Sequence, residues 1–164
     1  MSVDINNLKE QIQSIFQTAN TTTASRDLSS GLETRVQRIL KVNPARIPVQ
    51  SSWHPYVTIY TDSKDIEPSD IAISQANAKR RADIDFKIVG VVWNSTVSDE
   101  ELDPADEDCE DLMENIEEIL RANPNLAGTV TWAFPSTVDY HGATLDEDTH
   151  LRAGVMTLKA TIFY

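Results

Sequence analysis

Hydrophobic positions along the chain fall into helical and alternating patterns that predict most of its elements. In SVDINNLKEQIQSIFQTA, Ile5, Leu8, Ile12, Ile15, Phe16 and Ala19 recur at helical spacing, which predicts an amphipathic helix. A Thr- and Ser-rich polar stretch from Asn20 to Ser30 follows and reads as a loop. TRVQRILKV (Thr34–Val42) fits a helix or a strand. The strand is preferred because Pro44 and Pro48 cut the segment short. HPYVTIYT (His54–Thr61), rich in β-branched and aromatic residues, reads as a strand.

DIDFKIVGVVW (Asp83–Trp93) places Ile84, Phe86, Ile88 and Val92 on one parity and Asp83, Asp85 and Lys87 on the other. Val89, Val91 and Trp93 make its far end apolar on both faces, as in a central strand. Ala105, Cys109, Leu112, Met113, Ile116, Ile119 and Leu120 then form one helical stripe. Asp103 is placed to cap its start before Pro104, and Asn123-Pro124 to stop it. In GTVTWAFPSTVDY, Val130, Trp132, Phe134, Val138 and Tyr140 alternate, with Pro135 marking a bulge or an edge. In LRAGVMTLKATIFY, Met156, Leu158, Ala160, Ile162 and Tyr164 share one face. The order α-β-β-β-α-β-β predicts a single α+β domain over 1–164, with two helices packed on a mostly antiparallel sheet of about five strands.

Charge changes this picture in one place. Twelve of the twenty residues from Asp99 to Glu118 are Asp or Glu. The other fourteen acids balance the fourteen Lys and Arg, so the net charge of −12 belongs to this segment alone. It argues against specific nucleic-acid binding, which needs a basic surface. An EF-hand reading fails because residues 99–118 contain no glycine and the apolar stripe runs through them. The segment therefore reads as the solvated face of a helix, with its first acids favoured by the helix dipole.

Other chemistry is sparse. His54, His141 and His150 lack metal-ligand spacing, and DEDTH (Asp146–His150) reads as an acidic hairpin loop before it reads as a cation site. No GxSxG, GxGxxG or P-loop occurs. The single Cys109 lies on an apolar stripe among acids, surroundings that make it a core residue and no nucleophile. One cysteine excludes internal disulfides and fits a reducing cytosol. No apolar run approaches the roughly 18 residues of a membrane span, and the polar start MSVDINNLKE argues against a secretory leader. These readings predict no enzyme, no cofactor, no metal site and no membrane association.

Several phrases resemble the tail-terminator (tail-completion) proteins of long-tailed bacteriophages. They are the N-terminal amphipathic helix, the HPYVTIY and IDFKIVGVVW strands, the helix closing on PNLAGTV, and the terminal phrases TVDY and LKATIFY. Pro124, Leu126 and Gly128 match the family's proline, leucine and glycine before a strand. The chain departs from the family in the long 62–82 excursion and in the acidity of its second helix. The resemblance implies a structural virion protein, assembled in the host cytoplasm and placed at the neck of the tail. Its implied form is a homo-oligomeric ring, commonly a hexamer, that caps the tail tube protein and joins it to the head connector.

The alternative from the residues is an acidic inhibitor, immunity-type protein or DNA mimic presenting 99–118 to a basic partner. A metal enzyme built on Asp146, Asp148 and His150 is a distant third. The 62–82 excursion is itself a candidate assembly interface. Ile66, Ile71 and Ile73 are too few for a core of their own, and Lys79, Arg80 and Arg81 offer counter-charge to a neighbouring acidic helix.

Overall fold

The computed structural model describes residues 3–47, 50–67, 80–94, 104–146 and 149–164. Helix α1 (Ile5–Ala19) starts at Asp4, whose carboxylate accepts the Asn7 N–H at 3.1 Å. It buries Leu8, Ile12 and Phe16, one residue per turn of the predicted stripe. Five strands follow: β1 (Arg38–Leu40), β2 (Tyr56–Glu67), β3 (Arg81–Asn94), β4 (Trp132–Asp146) and β5 (Thr149–Phe163). Helix α2 (Pro104–Arg121) lies between β3 and β4 in sequence. Two single-turn 3-10 helices, Pro44–Arg46 and Ser51–Trp53, link β1 to β2.

The sheet order is β1-β2-β3-β5-β4. The β1–β2 pair is parallel and the rest are antiparallel. This is the α+β order and mostly antiparallel sheet that the sequence predicts. β3 holds the centre, which accounts for an end that is apolar on both faces. The sequence does not reveal that β5 inserts between β3 and β4, leaving β4 at the edge.

Both helices cover the same face of the sheet, α1 over β1 and β2, α2 over β3, β5 and β4. Between helices and sheet lies the core of Val57, Ile59, Ile84, Phe86, Ile88, Met156 and Leu158. Every residue of the α2 stripe, from Ala105 to Leu120, is buried, and all but Ala105 belong to this core. Asp106 in the first turn of α2 pairs with Arg152 of β5. Asn115 donates to the carbonyls of Leu28 and Ser30 at 3.1 and 2.7 Å, so α2 also holds the loop after α1. Arg35 closes that loop with a two-pronged bond to Asp27 at 2.8 and 2.9 Å.

Three boundaries differ from the sequence reading. β1 is three residues long instead of Thr34–Val42. The Val36 and Ile39 carbonyls are taken by the side chains of Asn20 and Gln13, which substitute for strand pairing. The stretch 62–82 is partly strand: β2 runs to Glu67 and β3 begins at Arg81, with Glu67 opposite Arg81 and a register shift between Thr61 and Ser63. In β4 the predicted alternation changes face. The shift between Pro135 and Val138 puts Trp132 and Phe134 on the helix-free side, while Val138 returns to the core opposite Met156. Asp103 lies outside the described residues.

The turn from α2 to β4 gives a physical reason for Pro124, Leu126 and Gly128. The Pro124 carbonyl accepts the Ala133 N–H at 2.6 Å and so ties the turn to β4. Leu126 is fully buried although its φ is 45°, and Ala127 and Gly128 follow at 58° and 85°. Three consecutive left-handed residues reverse the chain in little space, and burial of Leu126 offsets the strain in its backbone.

Candidate assembly interface

Of the predicted interface residues, the described ones, Ile66, Arg80 and Arg81, lie at one end of the β2–β3 pair. Ile66 sits on β2 opposite Ala82 and is 50% exposed. Arg80 exchanges backbone bonds with Tyr164, at 2.8 and 3.0 Å. Arg81 is opposite Phe163 and pairs with Asp83 of its own strand at 2.9 Å. Ile71, Ile73 and Lys79 lie outside the described residues.

Other residues gather on the sheet face that neither α1 nor α2 covers. On the helix-free face, Tyr56, Val89 and Val91 are buried by Ile47, Tyr60, Leu151, Ala153 and Val155. All of these but Ile47 line a shallow apolar groove of about 320 Å³, bounded by Pro44 and His141. Strand register builds this band: Tyr56 is opposite Val91, and Val91 opposite Ala153. Farther along the same face, Trp132 and Phe134 stack with centroids 5.1 Å apart, and are 39% and 43% exposed. They stand at i and i+2 on a strand, the spacing that brings two rings to one side.

β4 is an edge strand. Tyr140 projects from it on the helix side and is 43% exposed. Burial pushes its phenol above the ordinary range, and Cys109, Glu110, Glu114 and Glu117 push it further. Those three glutamates recur at i, i+4 and i+7, so one acidic row of α2 runs beside the β4 edge. The Cys109 thiol is pushed up to about 12, chiefly by burial. That places it as the core residue the sequence predicts, with no thiolate to react at neutral pH.

The opposite edge has the opposite sign. From Thr34 to Ile47 the chain carries Arg35, Arg38, Lys41 and Arg46 and no acid. Arg35 is held by Asp27, and Lys41 by Glu10 at 2.8 Å. Arg38 lies over the Trp53 ring at 5.0 Å, and both it and Arg46 are exposed. Sequence reasoning missed Arg38, Arg46, Trp132, Phe134 and Tyr140. The acid-free basic run was a readable signal for the first two; the aromatics needed the strand order.

No group of three or more His, Cys, Asp or Glu among the described residues could hold a metal ion. Asp148, from the distant metal-enzyme reading, lies outside them. No described helix is long and apolar enough to cross a membrane.

No protein-family model matches the chain, and no curated protein matches it significantly. Among solved structures it is similar to a chain of one described as the virion of a native gene transfer agent particle. The identity is 9% and the TM-score 0.35, over 91% of this chain and 93% of that one.

Proposed function

We propose that this protein is a structural component of a phage-like virion, acting as a tail terminator. In this reading it forms a closed ring of identical subunits, six by the family's habit, that caps the tail tube and meets the head connector. The observation that carries the reading is the one-sided sheet. Both helices pack on one face, while the other face keeps an apolar groove and a stacked Trp132–Phe134 pair. Exposed aromatic and apolar surface of this kind marks a contact with another protein. The turn at Pro124–Gly128 and the element order add the resemblance already drawn from the sequence. The role is mechanical and needs no catalytic residue.

The test is control of tube length. Purified protein added to a polymerising tail tube protein of the same phage should stop elongation and remain at one tube end. Tubes that grow unchecked at saturating protein would overturn the reading.

A further inference from the structure

We infer that the subunits join head to tail, the β4 edge of one copy docking on the β1 edge of the next. This rests on the ring reading above and names the two surfaces that form the contact. The first surface is an uncovered edge with large side chains: Trp132, Phe134 and Tyr140 are each more than a third exposed. Beside it stand Glu110, Glu114 and Glu117, of which, among the described residues, only Glu117 is matched by a cation, Arg121 at 2.7 Å. The second surface presents Arg38 on β1 and Arg46 in the 3-10 turn that follows it, both exposed and without an acidic partner among the described residues. Ile47 and Trp53, both half-buried, give it apolar area of its own.

Within one molecule Arg38, on β1, is held away from the β4 edge. β1 and β4 are four strand spacings apart in the sheet, roughly 19 Å at about 4.8 Å each. That is more than twice the screening length of about 8 Å at physiological ionic strength. A symmetric β4–β4 pair would bring two acidic rows together, and a β1–β1 pair two basic edges. Only the unlike pairing puts opposite charges in contact. A contact between two different surfaces of the same chain repeats, and a fixed rotation per step closes it into a ring.

The contact is made by side chains and does not extend the β-ladder. The Val36 and Ile39 carbonyls are already engaged by Asn20 and Gln13, which blunts the β1 edge. The docking chemistry is thus arginine against glutamate, around the aromatics of β4.

Two charge-reversed chains test this together. In Glu110→Lys/Glu114→Lys the acidic edge becomes basic; in Arg38→Glu/Arg46→Glu the basic edge becomes acidic. All four residues are exposed, so circular dichroism of each variant should match the parent. Each alone should need roughly tenfold or more protein to assemble, because like charges then meet at every contact. An equimolar mixture should regain the parent's assembled mass, since alternating copies restore opposite charge at every interface. If the parent closes into rings but either variant alone assembles as well as it does, or the mixture fails to recover, the docking is wrong and the terminator reading stands. If the parent forms no ring, the terminator reading itself falls.

Discussion

Gly90 and Gly154 stand directly opposite each other on β3 and β5, and α2 rests on the gap they leave. A β-carbon at Gly90 would lie 2.8 Å from Leu112 Cδ2, and one at Gly154 2.7 Å from Met113 Sδ. Neither glycine is needed for a left-handed turn; the pair lets a helix approach the sheet closely. Gly154→Val should therefore destabilise the fold by about 1–3 kcal/mol through overpacking. A urea midpoint equal to that of the parent would show that α2 is not seated on this pair.

The acidic face of α2 should be dispensable for folding. Glu110 and Glu114 lie at i and i+4, a like-charged spacing that costs roughly 0.2–0.5 kcal/mol. Glu110→Gln/Glu114→Gln should leave the melting temperature unchanged or slightly raised, and calcium should not shift it. Ile116→Asp on the opposite face should unfold the protein, because Ile116 is fully buried and an unpaired carboxylate there has no partner. A steep loss of stability in the double Gln variant would mean those carboxylates hold something in place.

Cys109 should behave as a buried aliphatic residue. Burial holds its thiol near 12, so a thiol reagent at neutral pH should label it only after denaturant is added. Cys109→Ala should keep the fold, with a loss on the order of 1 kcal/mol for the small cavity. Fast labelling of the native protein would contradict this placement.

His54 should make stability depend on pH. Its Nδ1 lies 2.7 Å from the Gln50 carbonyl, and its ring sits between Tyr56 and Trp93, with centroids 4.9 and 5.2 Å away. Burial holds its pKa below the ordinary 6.5, against the backbone groups of Gln50 and Ser51. The unfolded chain therefore binds a proton that the folded chain refuses, and stability rises with pH through this window. The contribution is complete above 6.5 and is lost as pH falls below it. Unfolding titrations at about pH 7.5 and 5.5 should show the loss in the parent and a smaller one in His54→Phe. Equal losses in the two proteins would place the acid sensitivity elsewhere.

Much of the fold was legible because burial leaves a period in the sequence. All seven apolar positions read on α2 are buried, and Ile84, Phe86 and Ile88 face the core as their parity predicts. Strand lengths were less legible, since the ends of β2 and β3 are polar. There, cross-strand register continues through Lys64–Ile84 and Asp65–Asp83 with little apolar signal to mark it. The face change in β4 depends on a bulge, whose presence Pro135 signalled but whose effect on Trp132 it could not. The polarity between the two edges was hidden for a topological reason. It exists only once β5 has displaced β4 to the rim and β1 has taken the other side.

The central claim is that this chain closes into a ring, and the most direct measurement is the mass of the native assembly. Native mass spectrometry, with sedimentation at several protein concentrations, should give one closed species at a fixed multiple of the 18.3 kDa chain. Six copies is the predicted number. The species should weaken as salt rises, since screening acts on the Arg38 and Arg46 edge and on the Glu110 and Glu114 row. A monomer at every concentration, or a ladder of open-ended oligomers with no preferred size, would contradict the account.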